Sequence, residues 1–140
     1  MRTEVLAVVT GNSQIVDLTD RIAAFCRDAS ATGDSVADGL LHVFVPHATA
    51  GVALIETGSG AEADLVAALE RLLPRDDRYR HRHGSPGHGA DHLLPALVSP
   101  SLSVPVQAGR MLLGTWQSIV LVDLNADNPR RQVRLSFLPA

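Results

Sequence analysis

The order of the apolar runs along this chain restricts its fold more than any other feature of the sequence. Most runs are short, and only two clear amphipathic segments interrupt them. The β-like runs lie at 4–10, 14–18, 40–46, 50–56, 102–106, 109–124 and 131–137, and the helical patterns lie at 17–30 and 60–74. Grouped strands with two separate helices predict an α+β fold with mainly antiparallel sheets rather than a βαβ array.

Both helical patterns have a recognisable apolar face. In the first, Ile22, Phe25 and Cys26 follow the i, i+3, i+4 spacing of one helix face, and Thr19 or Asp20 is expected to cap the helix. In the second, Pro74 is expected to end the helix. The apolar stripe of this second helix comprises Leu65, Ala68, Leu69, Leu72 and Leu73. Cys26 is therefore expected to be a small core residue and not a reactive thiol.

Length and composition exclude several classes of function. A chain of 140 residues predicts a single domain over 1–140. A net charge of −3 gives no attraction to nucleic acid or to an anionic membrane. The chain has no lysine, which excludes Schiff-base catalysis and a P-loop. No apolar run is long enough to span a membrane and the N-terminus has no signal-peptide pattern, so we expect a cytoplasmic protein.

The most unusual segment is "YRHRHGSPGHGADHL" at 79–93, which holds four of the six histidines. His88 and His92 are four residues apart and would share a face if helical, whereas His81 and His83 would share a face if extended. The single cysteine excludes cysteine-based metal sites, so a metal would need histidine and carboxylate ligands. A solvated histidine-rich loop is an equally good interpretation, because no zinc signature such as H-E-x-x-H is present.

Other polar residues lie where strands or helices begin and end. His47 follows an apolar strand, Glu56 closes the next one, and Asp64 lies early in the second helix. Arg110 follows a glycine and could bind an anion through two hydrogen bonds, and Gln117 follows the only tryptophan. Taken singly, each is equally well explained as a solvated or hydrogen-bonded structural residue.

Several motifs occur together in one order. They are "HATAGVALIE", "DL" at 64–65, "LLP", "YRH" ending at His81, "HL" at 92–93, "VPVQAGR", "LGTWQS" and "NPRRQVRLSF". In this combination the chain resembles the YjbQ family, also called UPF0047, whose members carry the name secondary thiamine-phosphate synthase. The resemblance covers nearly the whole chain from Leu41 onward and, more loosely, the first forty residues.

The resemblance implies a β-sandwich of mainly antiparallel strands with two or three helices, assembled as a homotrimer around a threefold axis. It implies a transferase that joins a pyrimidine-methyl pyrophosphate to a thiazole phosphate and releases pyrophosphate, as its main or a side activity. Two alternatives stay open: a metal-dependent hydrolase or lyase acting on a small phosphorylated metabolite, and a non-enzymatic trimer that binds a metal or ligand. The cofactor would be zinc or manganese on histidines, or magnesium with pyrophosphate.

The site residues expected from the resemblance and from the histidine segment fall into three overlapping sets. The catalytic set is His47, Glu56, His81, Asp91 and His92. The substrate-binding set is Thr49, Asp64, His88, Arg110 and Gln117. The metal set is His47, His81 and His92. Ala48, His88, Asp91 and Leu94 depart from the family pattern beside this site, and departures there can change the metal or the substrate.

Overall fold

Two antiparallel sheets share one apolar core in the computed structural model, which describes residues 1–140. The strands are β1 (Arg2–Val9), β2 (Ile15–Asp17), β3 (Ala31–Thr32), β4 (Ser35–Val36), β5 (Gly39–Phe44), β6 (Ala50–Ile55), β7 (Ser101–Gln107), β8 (Arg110–Met111), β9 (Ser118–Asp123) and β10 (Arg130–Pro139). The helices are α1 (Thr19–Ser30), α2 (Ala61–Leu72), α3 (His88–Asp91) and α4 (Leu94–Leu97). This arrangement confirms the predicted α+β fold.

The larger sheet has the strand order β1-β10-β5-β7-β8, and the smaller has the order β2-β9-β6. A short hairpin, β3-β4, lies in the predicted loop after α1. Alternate residues of the long strands point into the core: in β10 these include Val133, Leu135 and Phe137, each at most 1% exposed. Helix α1 packs on the same core through Ile22, Phe25 and Cys26, as its spacing predicts.

Strand β9 is covered on both faces, which explains its continuous apolar sequence. Ile119 and Leu121 face the core between the sheets, whereas Val120 and Val122 face a second apolar cluster with Leu69 of α2. The molecule therefore has an outer layer of short helices on the small sheet. The histidine-rich segment lies between α2 and α4, within this helical layer.

Two details of the helices differ from the sequence predictions. Neither Thr19 nor Asp20 caps α1; the N-cap is Leu18, and the Asp17 carboxylate accepts hydrogen bonds from the Thr19 backbone N–H and hydroxyl instead. In α2, Leu72 is 67% exposed although the stripe includes it. Leu69 and Leu73 on either side of it are buried in one apolar cluster, so Leu72 points away from that cluster.

Pro95 lies in the first turn of α4, where its missing N–H leaves no helical hydrogen bond unmade. No helix in the structure has both the length and the apolar character that a membrane crossing requires.

Candidate metal centre

The structure brings the four histidines of the 79–93 segment into one cluster, which we call the histidine cluster: His81, His83, His88 and His92. One ring nitrogen from each lies within 4.8 Å of those of the other three. His81 and His83 come from the loop after α2, His88 begins α3, and His92 follows its last residue. The pair His81 and His83 in the loop and the pair His88 and His92 at the ends of α3 therefore come together in one cluster.

Close backbone packing holds the two halves of the histidine cluster together. Gly89 of α3 lies directly against the preceding loop, and a Cβ atom there would be 2.7 Å from the carbonyl oxygen of His81 and from the Cβ of Tyr79. The Tyr79 hydroxyl donates a hydrogen bond of 2.8 Å to the carbonyl of Pro74, which fastens the loop to the end of α2. Any side chain at 89 would separate His81 from the α3 histidines.

The four histidine rings are in contact with one another. The Nε2 atoms of His88 and His92 are 2.9 Å apart. The ring centroids of His81 and His83 are 4.1 Å apart, and those of His81 and His92 are 4.2 Å apart. An uncharged imidazole has one nitrogen that donates a hydrogen bond and one that accepts. Two lone pairs at this distance would repel each other, so a hydrogen atom or a cation has to lie between the two nitrogens.

Next to the rings lies a buried carboxylate, both of whose oxygens accept hydrogen bonds. Asp91 is 1% exposed and forms an ion pair with Arg75. Its Oδ2 also accepts a hydrogen bond of 2.8 Å from the amide nitrogen of Asn125. A second carboxylate, Asp127, contacts His88 Nδ1 at 2.9 Å. Carboxylates behind histidines are the usual support of a metal-binding histidine.

The electrostatics of the histidine cluster favour neutral rings at His81 and His92. Desolvation lowers the pKa of His92 below its usual 6.5, and the neighbouring His81, His88 and His83 lower it further, while Asp91 opposes them. Desolvation also lowers the pKa of His81, with contributions from His83 and His88. Neutral imidazole is the form that binds a metal.

A cleft of about 170 Å³ opens beside the histidine cluster. Twelve residues line it and only one of them is hydrophobic. His81, His83 and His88 line this cleft, and Arg82 is the cationic side chain among its lining residues. Two carboxylates, Asp76 and Asp77, line it as well. Such a lining fits a small polar molecule better than an apolar one.

His47 belongs to a second polar region, which contains Arg131 and Asp123. Its Nε2 accepts a hydrogen bond of 2.8 Å from the backbone N–H of Gln132. Burial lowers the pKa of His47, and the Arg131 guanidinium lowers it further, whereas Asp123 raises it. Thr49 is buried there, and its hydroxyl accepts a hydrogen bond from Arg131. In this chain, therefore, His81 and His92 group with His83 and His88, while the Nε2 of His47 is already engaged with Gln132; the set of His47, His81 and His92 stays a prediction.

The other predicted site residues lie apart from the cleft beside the histidine cluster. Glu56 is exposed after β6, and Asp64 lies in the first turn of α2. Arg110 is exposed in β8 at the edge of the larger sheet, where it lines a different cleft with Arg27. Gln117 accepts a hydrogen bond from the Gly114 backbone N–H, so its side chain closes a turn.

Sequence reasoning missed two residues of the loop between β9 and β10. Asn125 contacts Asp91, and Asp127 contacts His88, although both lie more than thirty positions further along the chain. The string "NADNPR" indicated only a turn. The one signal that could have found them is the density of polar side chains in a turn that follows a strand buried on both faces.

Comparison with known proteins places the chain in a family. The family model described as UPF0047 protein YjbQ-like matches residues 4–140. The chain belongs to this YjbQ-like family. A UPF0047 protein of Mycobacterium tuberculosis is 67% identical over 138 residues, which cover 99% of this chain and 98% of the relative. A UPF0047 protein of Archaeoglobus fulgidus is 31% identical over 120 residues, covering 86% and 88% of the two chains.

Solved structures show the same YjbQ-like fold. A hypothetical protein from Aeropyrum pernix K1 superposes with a TM-score of 0.86 at 30% identity, over 100% of both chains. A protein of unknown function from Sulfolobus solfataricus P2 gives a TM-score of 0.87 at 22% identity, over 99% of this chain and 97% of its own, and shows the fold alone. The family resemblance found in the sequence is confirmed, and the thiamine-phosphate synthase activity is not part of what these likenesses establish.

Proposed function

We propose that this protein binds a divalent transition metal at the histidine cluster and acts with it on a small phosphorylated metabolite, as a hydrolase or lyase. The observation that carries the proposal is the convergence of four imidazole nitrogens within 4.8 Å. Ala90 and Tyr79 of this segment pack in the apolar cluster of the helical layer, whereas the four rings converge on each other. Neutral rings with facing nitrogens are a ligand set for a cation.

The donor atoms favour zinc over magnesium. Imidazole nitrogen suits zinc and other late first-row metals, whereas magnesium prefers oxygen ligands in octahedral geometry. A zinc site that keeps a position for substrate takes three protein ligands, and His92 would be one of them. A bound divalent ion would supply Lewis-acid stabilisation of charge on a phosphoryl or carbonyl oxygen.

The residues around the histidine cluster define what the chain itself contributes. The polar cleft would receive the substrate, and Arg82 would bind its anionic group. Asp91 cannot readily act as a general base, because Arg75 and Asn125 already occupy its oxygens. Its contribution would be to fix α3 and the histidines at either end of that helix, so that they require no rearrangement when they bind.

The second candidate is the transferase reaction that the family resemblance implies, in which a pyrimidine-methyl pyrophosphate and a thiazole phosphate give thiamine phosphate. Arg82 in the lining of the cleft is a group that can bind phosphate, and it supports this reaction as well. Arg110, expected to bind phosphate, lies in another cleft of the chain. We therefore propose the transferase reaction as a slow side activity, well below the roughly ten turnovers per second typical of enzymes.

The homotrimer stays a proposal, supported by one face of the larger sheet. Leu40 and Phe44 of β5 and Leu138 of β10 lie on the face opposite the core and are 37–41% exposed. Neighbouring apolar side chains on an open sheet face favour burial against another molecule. Light scattering at micromolar concentration should give three times the mass of the 14.9 kDa chain; a monomer would reject the trimer.

The proposed function is tested first by binding and then by turnover. Protein freed of metal with a chelator should bind one zinc ion per chain. The variant His92→Ala should lower the affinity for zinc by at least a hundredfold. The matched control is His42→Ala, because His42 lies on the larger sheet and hydrogen-bonds to Ser103. Since His42 shares a strand face with Leu40 and Phe44, light scattering of this control should give the wild-type mass. Zinc-dependent release of phosphate or an elimination product from a panel of phosphorylated metabolites should then follow the same order. Binding that is unaffected by His92→Ala, or strengthened at pH 5.5, would reject the site.

A further inference from the structure

We propose that Asp127 is a positioning residue that holds His88 as the Nδ1–H tautomer, with its Nε2 lone pair directed into the histidine cluster. This inference deepens the proposed function and rests on it. It makes His88 one of the nitrogen ligands supplied by this chain, on a support that comes from the loop between β9 and β10. Asp127 Oδ2 lies 2.9 Å from His88 Nδ1.

The first step concerns the orientation of Asn125, the other side chain beside His88. Asn125 Oδ1 accepts hydrogen bonds of 3.0 Å from the backbone N–H groups of Asp127 and Asn128. Its Nδ2 therefore points the other way and donates to Asp91 at 2.8 Å. Asn125 Nδ2 is a donor, and at 3.4 Å from His88 Nδ1 it cannot accept the imidazole hydrogen. The acceptor for His88 has to be Asp127.

The second step concerns the charge of Asp127. Its Oδ2 also accepts a hydrogen bond of 3.0 Å from the backbone N–H of Ser85. The Ser85 backbone N–H and His88 Nδ1 therefore approach the same carboxylate oxygen. An ionised carboxylate only accepts hydrogen bonds, so it selects the tautomer of His88 that carries hydrogen on Nδ1.

The third step is steric. Gly84 has a φ of +81°, and a Cβ atom there would lie 2.7 Å from both Asp127 Oδ2 and His88 Nδ1. The loop backbone therefore covers the hydrogen bond closely, and only glycine leaves it room. The His88 side chain is 12% exposed, so water has little access to compete for Nδ1.

The consequence reaches His92. With hydrogen on Nδ1, His88 Nε2 is an acceptor, so His92 Nε2, 2.9 Å away, carries the hydrogen between them in the metal-free protein. Replacing that hydrogen by a metal ion joins both nitrogens to one centre. Carboxylate partners of metal-binding histidines typically contribute roughly 10- to 100-fold in metal affinity.

The test combines a metal-free readout with a binding readout in the full chain. Two-bond nitrogen–proton NMR at pH 8 should show His88 as the Nδ1–H tautomer in the wild type and a shift toward Nε2–H in Asp127→Ala. Asp127→Asn keeps an acceptor oxygen for Ser85 without the charge and should lie between them. A wild-type Nε2–H tautomer, or no change in Asp127→Ala, would overturn the proposal.

Zinc titration supplies the second readout. Asp127→Ala should lower zinc affinity by roughly 10- to 100-fold, while Asp77→Ala should not. Asp77 lines the same cleft and takes part in none of the ion pairs of the structure. Unchanged affinity in Asp127→Ala would overturn the positioning role. If the wild type bound no zinc but showed the expected tautomers, the metal site would fall and the assignment of Asp127 to His88 would stand.

Discussion

Two polar regions of this molecule are connected by hydrogen bonds through Asn125. They differ in which groups their side chains contact. In the first, Arg131 and Asp123 form an ion pair whose side chains are at most 1% exposed, and Thr10 and Thr49 complete its hydrogen bonds. In the histidine cluster, ring nitrogens face other ring nitrogens. Polar groups whose hydrogen-bond partners all belong to the protein stabilise the fold. Ring nitrogens that converge on one point are instead suited to bind a ligand.

Asn125 joins the two regions. Its backbone N–H donates to Asp123 and its side chain donates to Asp91. The buried ion pair therefore fixes the start of the loop that supports the histidine cluster. If this contrast is correct, substitutions in the first region should affect folding and substitutions in the second should affect binding.

The largest expected effect is that of Asp123→Ala. It leaves the Arg131 guanidinium buried without its counter-charge, which costs about 3–5 kcal/mol of unfolding free energy. The matched control is Asp76→Ala, which removes an ion pair whose side chains are 48–60% exposed and should have a much smaller effect. Urea denaturation of both variants measures the difference. Equal losses would show that the buried pair is not a structural centre.

The second effect is the stabilisation that zinc confers. Ligand binding to the folded state alone adds about 2.7 kcal/mol of stability at a concentration one hundred times the Kd. We expect this gain in the wild type and not in His92→Ala, while the metal-free forms of both unfold at nearly the same denaturant concentration. A His92→Ala protein that is strongly destabilised without metal would place His92 in the structural region instead.

The smallest effect is the pH dependence of the metal-free protein. The folded-state pKa values of His81 and His92 are below 6.5, so the unfolded chain takes up protons first as the pH falls. Stability should therefore decrease below pH 6.5 and level off once the pH is beneath the lowered pKa values. His92→Ala should show a shallower decrease. Stability that rises on acidification would mean that these rings gain, and do not lose, proton affinity on folding.

The sequence predicted the parts of the molecule that depend on local patterns. The spacing of Ile22, Phe25 and Cys26 predicted the buried face of α1, and all three are buried. Burial raises the pKa of Cys26 to about 11, which agrees with an unreactive core thiol. The sequence also identified the 79–93 segment as exceptional, because four histidines within twelve positions are visible without any structure.

Contacts between distant segments were beyond such reasoning. Nothing near Asp127 in the sequence indicates His88, and the two are 39 positions apart. His83 was in none of the expected site sets and His88 was expected to bind substrate, yet both belong to the histidine cluster. Their positions depend on how the loop after α2 packs against α3 at Gly89, which no periodic pattern encodes.

The central claim is that the histidine cluster binds a divalent metal. Its most direct test is an anomalous difference map at the zinc absorption edge, from crystals of metal-free protein soaked in zinc. We predict one strong peak in the histidine cluster, about 2.0–2.1 Å from the ring nitrogens of at least three of its four members. No peak there at full soaking concentration, or a peak bound by His47 without His83 and His88, would contradict the account.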